Sequence, residues 1–174
     1  MIVTGYQTLE DKDNNDEIET DGPFPCNRGN AWLGFGCYFW DSNIFWAHDW
    51  GKKSYESRRL KYVIGRCEIT LGDSCYDLVG SVAHLLDFEQ VFEVLKESPK
   101  FKGKTLIVAN VIEYLKRKDI FKFKSIRAAD VPNNTKKASF GGKWGESMVV
   151  NPRVQICVIE VQDIILPPFK VIYP

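Results

Sequence analysis

Helical and strand-like periodicity occupy different stretches of this chain, and that segregation limits its fold more than any other feature. Two runs at helical spacing sit near the middle. Residues 81–98 carry Val82, Leu85, Leu86, Phe88, Val91, Phe92 and Leu95, and Pro99 ends the run. Residues 105–118 place Ile107, Val111, Ile112, Tyr114 and Leu115 on one side and end in basic residues, which suits a helix C-terminus. A third helix is predicted from a cap at Asp41 or Ser42 to about residue 56, with Ile44, Phe45, Ala47 and Trp50 as its apolar face. Strand-like runs cover 2–9, 31–40 (entered through a turn), 60–71 and 121–126. Three more close the chain at 147–150, 154–161 and 164–173, the last interrupted by Pro167-Pro168. Residues 10–21 hold one aliphatic side chain, Ile18, among acids and amides, and are expected to form a solvated loop. Gly22-Pro23-Phe24-Pro25 imposes an irregular approach to the next element. A polar, glycine-containing loop is expected over 128–145. The pattern is α+β with a largely antiparallel core, in one domain spanning 1–174.

A chain of 174 residues can bury a core without covalent staples. Its 23 basic and 23 acidic side chains balance, so overall charge supplies no reason to expect a nucleic-acid or membrane partner. The five cysteines contain no CxxC pair and no metal-ligand spacing, and read as small apolar residues of a reducing compartment. No basic-apolar leader is evident and no apolar run approaches the ~20 residues of a membrane span. The expectation is a cytoplasmic protein without a metal, or an effector delivered by a route that needs no N-terminal signal. P-loop, nucleophile-elbow and zinc-finger patterns are absent from the sequence.

Two segments far apart carry the chemistry. The first is Leu33-Gly34-Phe35-Gly36-Cys37-Tyr38-Phe39-Trp40, running into Ala47-His48-Asp49-Trp50. Its glycines let a backbone approach a ligand closely, and its tyrosine can stack on a planar ring. The second is Gly145-Glu146-Ser147-Met148-Val149-Val150-Asn151-Pro152, followed by Val154-Gln155-Ile156-Cys157-Val158. It places a carboxylate at the mouth of an apolar strand. Together they resemble the NAD-binding and catalytic-glutamate segments of the ADP-ribosyltransferase superfamily, in its histidine/tyrosine/glutamate branch with an altered first motif.

The resemblance implies two packed, mainly antiparallel β-sheets with flanking helices, and NAD as substrate with no metal. It implies that Gly34 and Gly36 admit the dinucleotide, that Tyr38, followed by Phe39, stacks on nicotinamide, and that Glu146 stabilises the ribose cation. Where relatives carry an anchoring histidine or arginine on the first strand, this chain has Gly5-Tyr6-Gln7-Thr8. Aligned on the threonine, Tyr6 is the anchor; aligned on the preceding glycine and tyrosine, Gln7 is. Strand alternation groups Tyr6 with Thr8, whereas Gln7 can both donate to and accept from a ribose hydroxyl. Trp144, two residues before Glu146, departs from the arginine-modifying pattern, and the lysines and aromatics before it suit a surface able to meet phosphates and a base. The implied activity is transfer of ADP-ribose to a protein or nucleic-acid acceptor, in the setting of a bacterial toxin, effector or defence protein with an antitoxin or inhibitor partner. NAD hydrolysis and a catalytically silent binding module are the alternatives. Arg28 could reach a pyrophosphate, and His48 reads as a helix-surface residue.

Overall fold

A computed structural model describes residues 1–26, 28–29, 31–117, 121–132, 135–141 and 145–174. The elements in chain order are β1 (Ile2–Glu10), α1 (Asn15–Asp21), β2 (Cys37–Asp41), α2 (Ile44–Ser54), a 3-10 turn (Glu56–Arg58), β3 (Tyr62–Thr70) and β4 (Cys75–Asp77). They continue as α3 (Val82–Glu97), α4 (Val108–Arg117), β5 (Ser125–Asp130), β6 (Lys137–Ser139), β7 (Ser147–Val149), β8 (Arg153–Val158) and β9 (Ile165–Tyr173). The class is α+β. In place of the two packed sheets expected, the described strands form one seven-stranded sheet, ordered β4-β5-β8-β2-β1-β3-β9, and a separate ribbon of β6 and β7. Neighbours in the large sheet are antiparallel except β4 and β5.

Period-two alternation gives the sheet two apolar faces. One carries Cys37, Phe39, Val63, Ile69, Ile156 and Val158, and Ile18 of α1 packs onto it. That contact explains why part of the acidic stretch is helical: one buried isoleucine anchors it, while Asp16 and Glu17 sit in the favourable first turn. The other face holds two separate clusters. One joins Ala47 of α2 to Trp40, Tyr55, Tyr62 and Ile64. The other packs Leu95 of α3 and Val111, Ile112 and Leu115 of α4 onto Ile126 and Cys157 of the sheet.

Three local expectations change. The cap of α2 is Asn43, whose Oδ1 accepts from the Phe45 N–H at 3.1 Å. Asp41 is engaged elsewhere, and the Ser42 hydroxyl donates to it at 2.8 Å. The strand expected over 121–126 begins at Ser125 instead, because Phe121 and Phe123 cluster with Tyr76 at centroid distances of 5.4 and 4.9 Å. It therefore runs on into residues expected to be loop. Ser147-Met148-Val149-Val150 is not a buried strand. β7 pairs with β6 in the exposed ribbon, with Met148 at 63% exposure, while β8 occupies the buried position between β2 and β5.

The two edges of β1 are paired unequally. It pairs with β3 along its whole length, from Ile2↔Thr70 to Glu10↔Tyr62. With β2 it pairs at Gly5↔Asp41 and Tyr6↔Trp40 alone. Beyond that rung the two strands part.

Candidate functional site

A cleft of about 460 Å³ occupies the wedge where β1 and β2 separate, between the α2 cluster and the α3/α4 cluster. Its aromatic walls are Trp32, Tyr38, Trp40, Trp50 and Tyr55, and its polar side chains include Gln7, Thr8, Arg28, Asp130, Arg153 and Gln155. A larger apolar cavity of about 860 Å³ lies between α3 and α4, but among the described residues Glu89 is the one ionisable group that lines it, and it has little chemistry to offer.

The glycine turn forms one edge. Gly34 adopts φ +83°, which favours glycine, and a Cβ on Gly36 would meet the Cys157 Sγ and the Val158 carbonyl, both at 2.6 Å. The Tyr38 hydroxyl donates to the Gly34 carbonyl at 2.7 Å and accepts from the Leu33 N–H at 2.9 Å. Burial pushes this phenol far above its ordinary value, so it stays protonated as a structural donor. Gly34 and Gly36 thus shape the loop that carries Ala31 and Trp32 to the cleft, and are not themselves among its lining residues.

Gln7 props the wedge open. Its Nε2 donates to the Phe24 carbonyl at 2.8 Å and, more weakly, to the Tyr38 carbonyl at 3.4 Å. Its Oε1 accepts from the Phe24 N–H at 3.0 Å. A side-chain amide therefore replaces the missing ladder between β1 and β2 and ties both strands to the segment before the glycine turn. Gln7→Leu should cost about 1–3 kcal/mol by leaving these backbone groups unpaired. Urea denaturation checks this, and an unchanged midpoint would show that water replaces the amide fully.

The other first-strand positions have separate tasks. Thr8 Oγ1 donates to the Ala47 carbonyl at 2.8 Å, which fastens β1 to α2. Tyr6 packs into the α2 cluster and is not among the lining residues. Phe39 borders the cleft but points its ring into the opposite core. His48 turns to Tyr62, with Nδ1 2.9 Å from the hydroxyl; burial, helped by Lys52, pulls its pKa down.

Glu146 lies apart from these groups. It is exposed in the turn region of the ribbon, its carbonyl accepts from the Phe140 N–H at 2.8 Å, and it is not among the residues lining the cleft. Trp144 falls outside the described residues.

Four cleft side chains gain weight once the strands are in register. Arg153 of β8 stands over the Trp40 and Trp46 rings at 5.5 and 5.1 Å, and its Nε is 3.2 Å from Asp130 Oδ1. Burial pushes the Asp130 carboxyl above its ordinary value, against the opposing pull of Arg153. Gln155 accepts a hydrogen bond from the Trp32 indole N–H, which holds that ring at the cleft wall. Arg28 stands 5.9 Å from the Trp50 and Tyr55 rings and donates to the Tyr55 hydroxyl at 3.3 Å. Among the described residues Arg28 has no carboxylate partner. Alternation along 153–157 could have grouped Arg153 with Gln155, but their meeting with Asp130 depends on the β5–β8 register, which no local pattern encodes.

Aromatic walls can stack a planar heterocycle, and a guanidinium without a carboxylate partner can take a phosphate. Among the described residues no group of three or more His, Cys, Asp or Glu side chains is placed to hold a metal ion, and no helix is long and apolar enough to cross a membrane. Comparison with protein-family models, with curated proteins and with solved structures finds no match for this chain.

Proposed function

We propose that this chain is an NAD-dependent ADP-ribosyltransferase of ADP-ribosyltransferase-like fold, with the dinucleotide seated in the cleft where β1 and β2 part. One observation carries the reading: an aromatic-walled cleft beside the glycine turn holds a guanidinium, Arg28, that has no carboxylate partner among the described residues. A dinucleotide offers the matching groups, two planar rings and a diphosphate. The turn residues Gly34, Gly36 and Tyr38 supply the resemblance on which NAD is named.

In the reaction the bond between ribose C1′ and the nicotinamide nitrogen breaks, and the ring leaves neutral with the bonding electrons. Positive charge builds on the ribose and is quenched by an acceptor nucleophile. A protein or nucleic-acid acceptor fits an exposed ribbon that presents Lys136, Lys137 and Phe140. Water as acceptor would make the same site a glycohydrolase. The setting proposed is the cytoplasm, as a toxin, effector or defence protein restrained by an inhibitor partner.

The test is NAD titration followed by tryptophan fluorescence, beside nicotinamide release with and without cell lysate and RNA. Binding should quench the cleft indoles, and Arg28→Ala should weaken it about 10- to 100-fold through loss of a charged contact. Absence of both binding and nicotinamide release in the unaltered protein would sink the reading. Release that needs no lysate or RNA would select hydrolysis.

A further inference from the structure

Cleavage of the nicotinamide–ribose bond needs negative charge facing the developing cation, and the sequence-predicted carboxylate, Glu146, stands on the exposed ribbon. Among the described residues that line the cleft, Asp130 is the one carboxylic acid. We propose that Asp130 is the catalytic carboxylate of this cleft and that Arg153 is the residue that positions it. The inference rests on the ADP-ribosyl-transfer reading and adds to it the group that does the chemistry.

The strand puts Asp130 there. Ile126 and Ala128 of β5 are buried in the α3/α4 cluster, and period-two alternation carries the last residue, Asp130, onto the same face. At that point the apolar cluster gives way to the cleft. Register sets Asp130 opposite Arg153, as it sets Ala128 opposite Gln155. Arg153 is itself held by the two indole faces, so the carboxylate is aimed by a guanidinium with little freedom of its own. Among the described residues Asp130 Oδ1 is buried without a hydrogen bond, its contact with Arg153 Nε being ionic, so the carboxylate retains lone pairs for a ligand. Among the described residues the other ionisable groups around the cleft are Arg28, Arg153, Tyr38, Tyr55 and Cys26, none of which supplies a carboxylate.

The step balances with these groups. The C1′–nitrogen bond breaks and its electron pair goes to nicotinamide. The acceptor X–H forms the X–C1′ bond, and its proton passes to the Asp130 carboxylate and then to solvent. Arg153 favours the ionised form of Asp130 in the first half, while burial, the larger influence, makes it a better proton acceptor than an exposed aspartate in the second.

Nicotinamide release by the unaltered protein is measured first, since a protein that neither binds nor consumes NAD refutes the transferase reading and this inference together. Given turnover, Asp130→Asn should lower kcat about 100- to 1,000-fold with KM changed less than about threefold. Asp130→Glu should recover part of the loss. The unaltered enzyme should lose kcat as Asp130 is protonated on the acid side. Arg153→Gln should move that limb to higher pH, because the carboxylate loses its positive neighbour, and a purely structural arginine would not do this. If Asp130→Asn fails to fold, the double variant Asp130→Asn/Arg153→Gln removes both charges and serves in its place, and the acid limb of the unaltered enzyme gives a readout that needs no variant. Turnover retained in a folded Asp130→Asn, loss confined to Glu146→Gln, or a kcat flat from about pH 4 to 8 would each overturn the assignment while leaving the transferase reading intact.

Discussion

Arg127→Met should destabilise the protein by about 3–5 kcal/mol, as expected when one partner of a buried ion pair is removed. Arg127 Nε donates to Asp41 Oδ2 at 2.7 Å, and Nη1 lies 3.4 Å from Asp77 Oδ2. The side chain of Asp41 is 4% exposed, so losing the guanidinium leaves a carboxylate without water or a countercharge. The bridge also joins β2, β4 and β5 across β8, so the damage should spread along that half of the sheet. Urea denaturation measures the change, and Arg127→Met/Asp41→Leu should recover much of it, since a well-packed apolar pair can replace a buried ionic one. A single-variant loss under about 1 kcal/mol would show that the pair is solvated in practice. The network also predicts an acid dependence. At Asp77, burial raises the carboxyl pKa, but the N–H groups of Gly80 and Val79 together with Arg127 outweigh it and hold the pKa below the ordinary value. The stability from Asp77 is therefore fully present above its unfolded pKa of about 3.9, and is lost as pH falls through the lower folded value. Arg127→Met should reduce that acid sensitivity.

Trp40→Ala should cost a similar 3–5 kcal/mol and should also abolish NAD binding. The indole is 4% exposed, sits on the last rung between β1 and β2, and packs against Trp46 and Trp50 at centroid distances of 6.3 and 6.4 Å. Its removal opens a cavity where the strands part and takes away one of the two rings that hold Arg153. Trp40→Phe should restore most of the stability but less of the binding, because the smaller ring supports the guanidinium poorly. Calorimetric melting beside NAD titration separates the two effects. Full binding by a folded Trp40→Ala protein would show that this wall is dispensable.

Features written locally were legible in the sequence. Helix α3 follows its spacing, and Ser81 accepts from the His84 N–H at 3.3 Å as a cap should. Strand β1 and the glycine turn follow from runs of adjacent residues. Features that depend on distant partners were not legible. Helix α1 exists because Ile18 finds a core built by other strands. The alternating phenylalanines before β5 look like strand but serve an aromatic cluster around Tyr76. The apolar run after Glu146 looks buried, yet β8 holds the interior position and leaves β7 outside. The same divide runs through the site: Tyr38 could be named from its own neighbours, whereas Asp130 acquires its place only when β5 meets β8.

The short β1–β2 pairing divides the sheet into unequal halves, β1-β3-β9 and β4-β5-β8-β2. The chain passes from one half to the other at β1 to β2, β2 to β3, β3 to β4 and β8 to β9. Neither half is a continuous piece of polypeptide, so neither can be excised, or form first and wait for the other. Weak hydrogen bonding at the seam is thus offset by connectivity: four chain crossings tie the halves together on either side of the cleft.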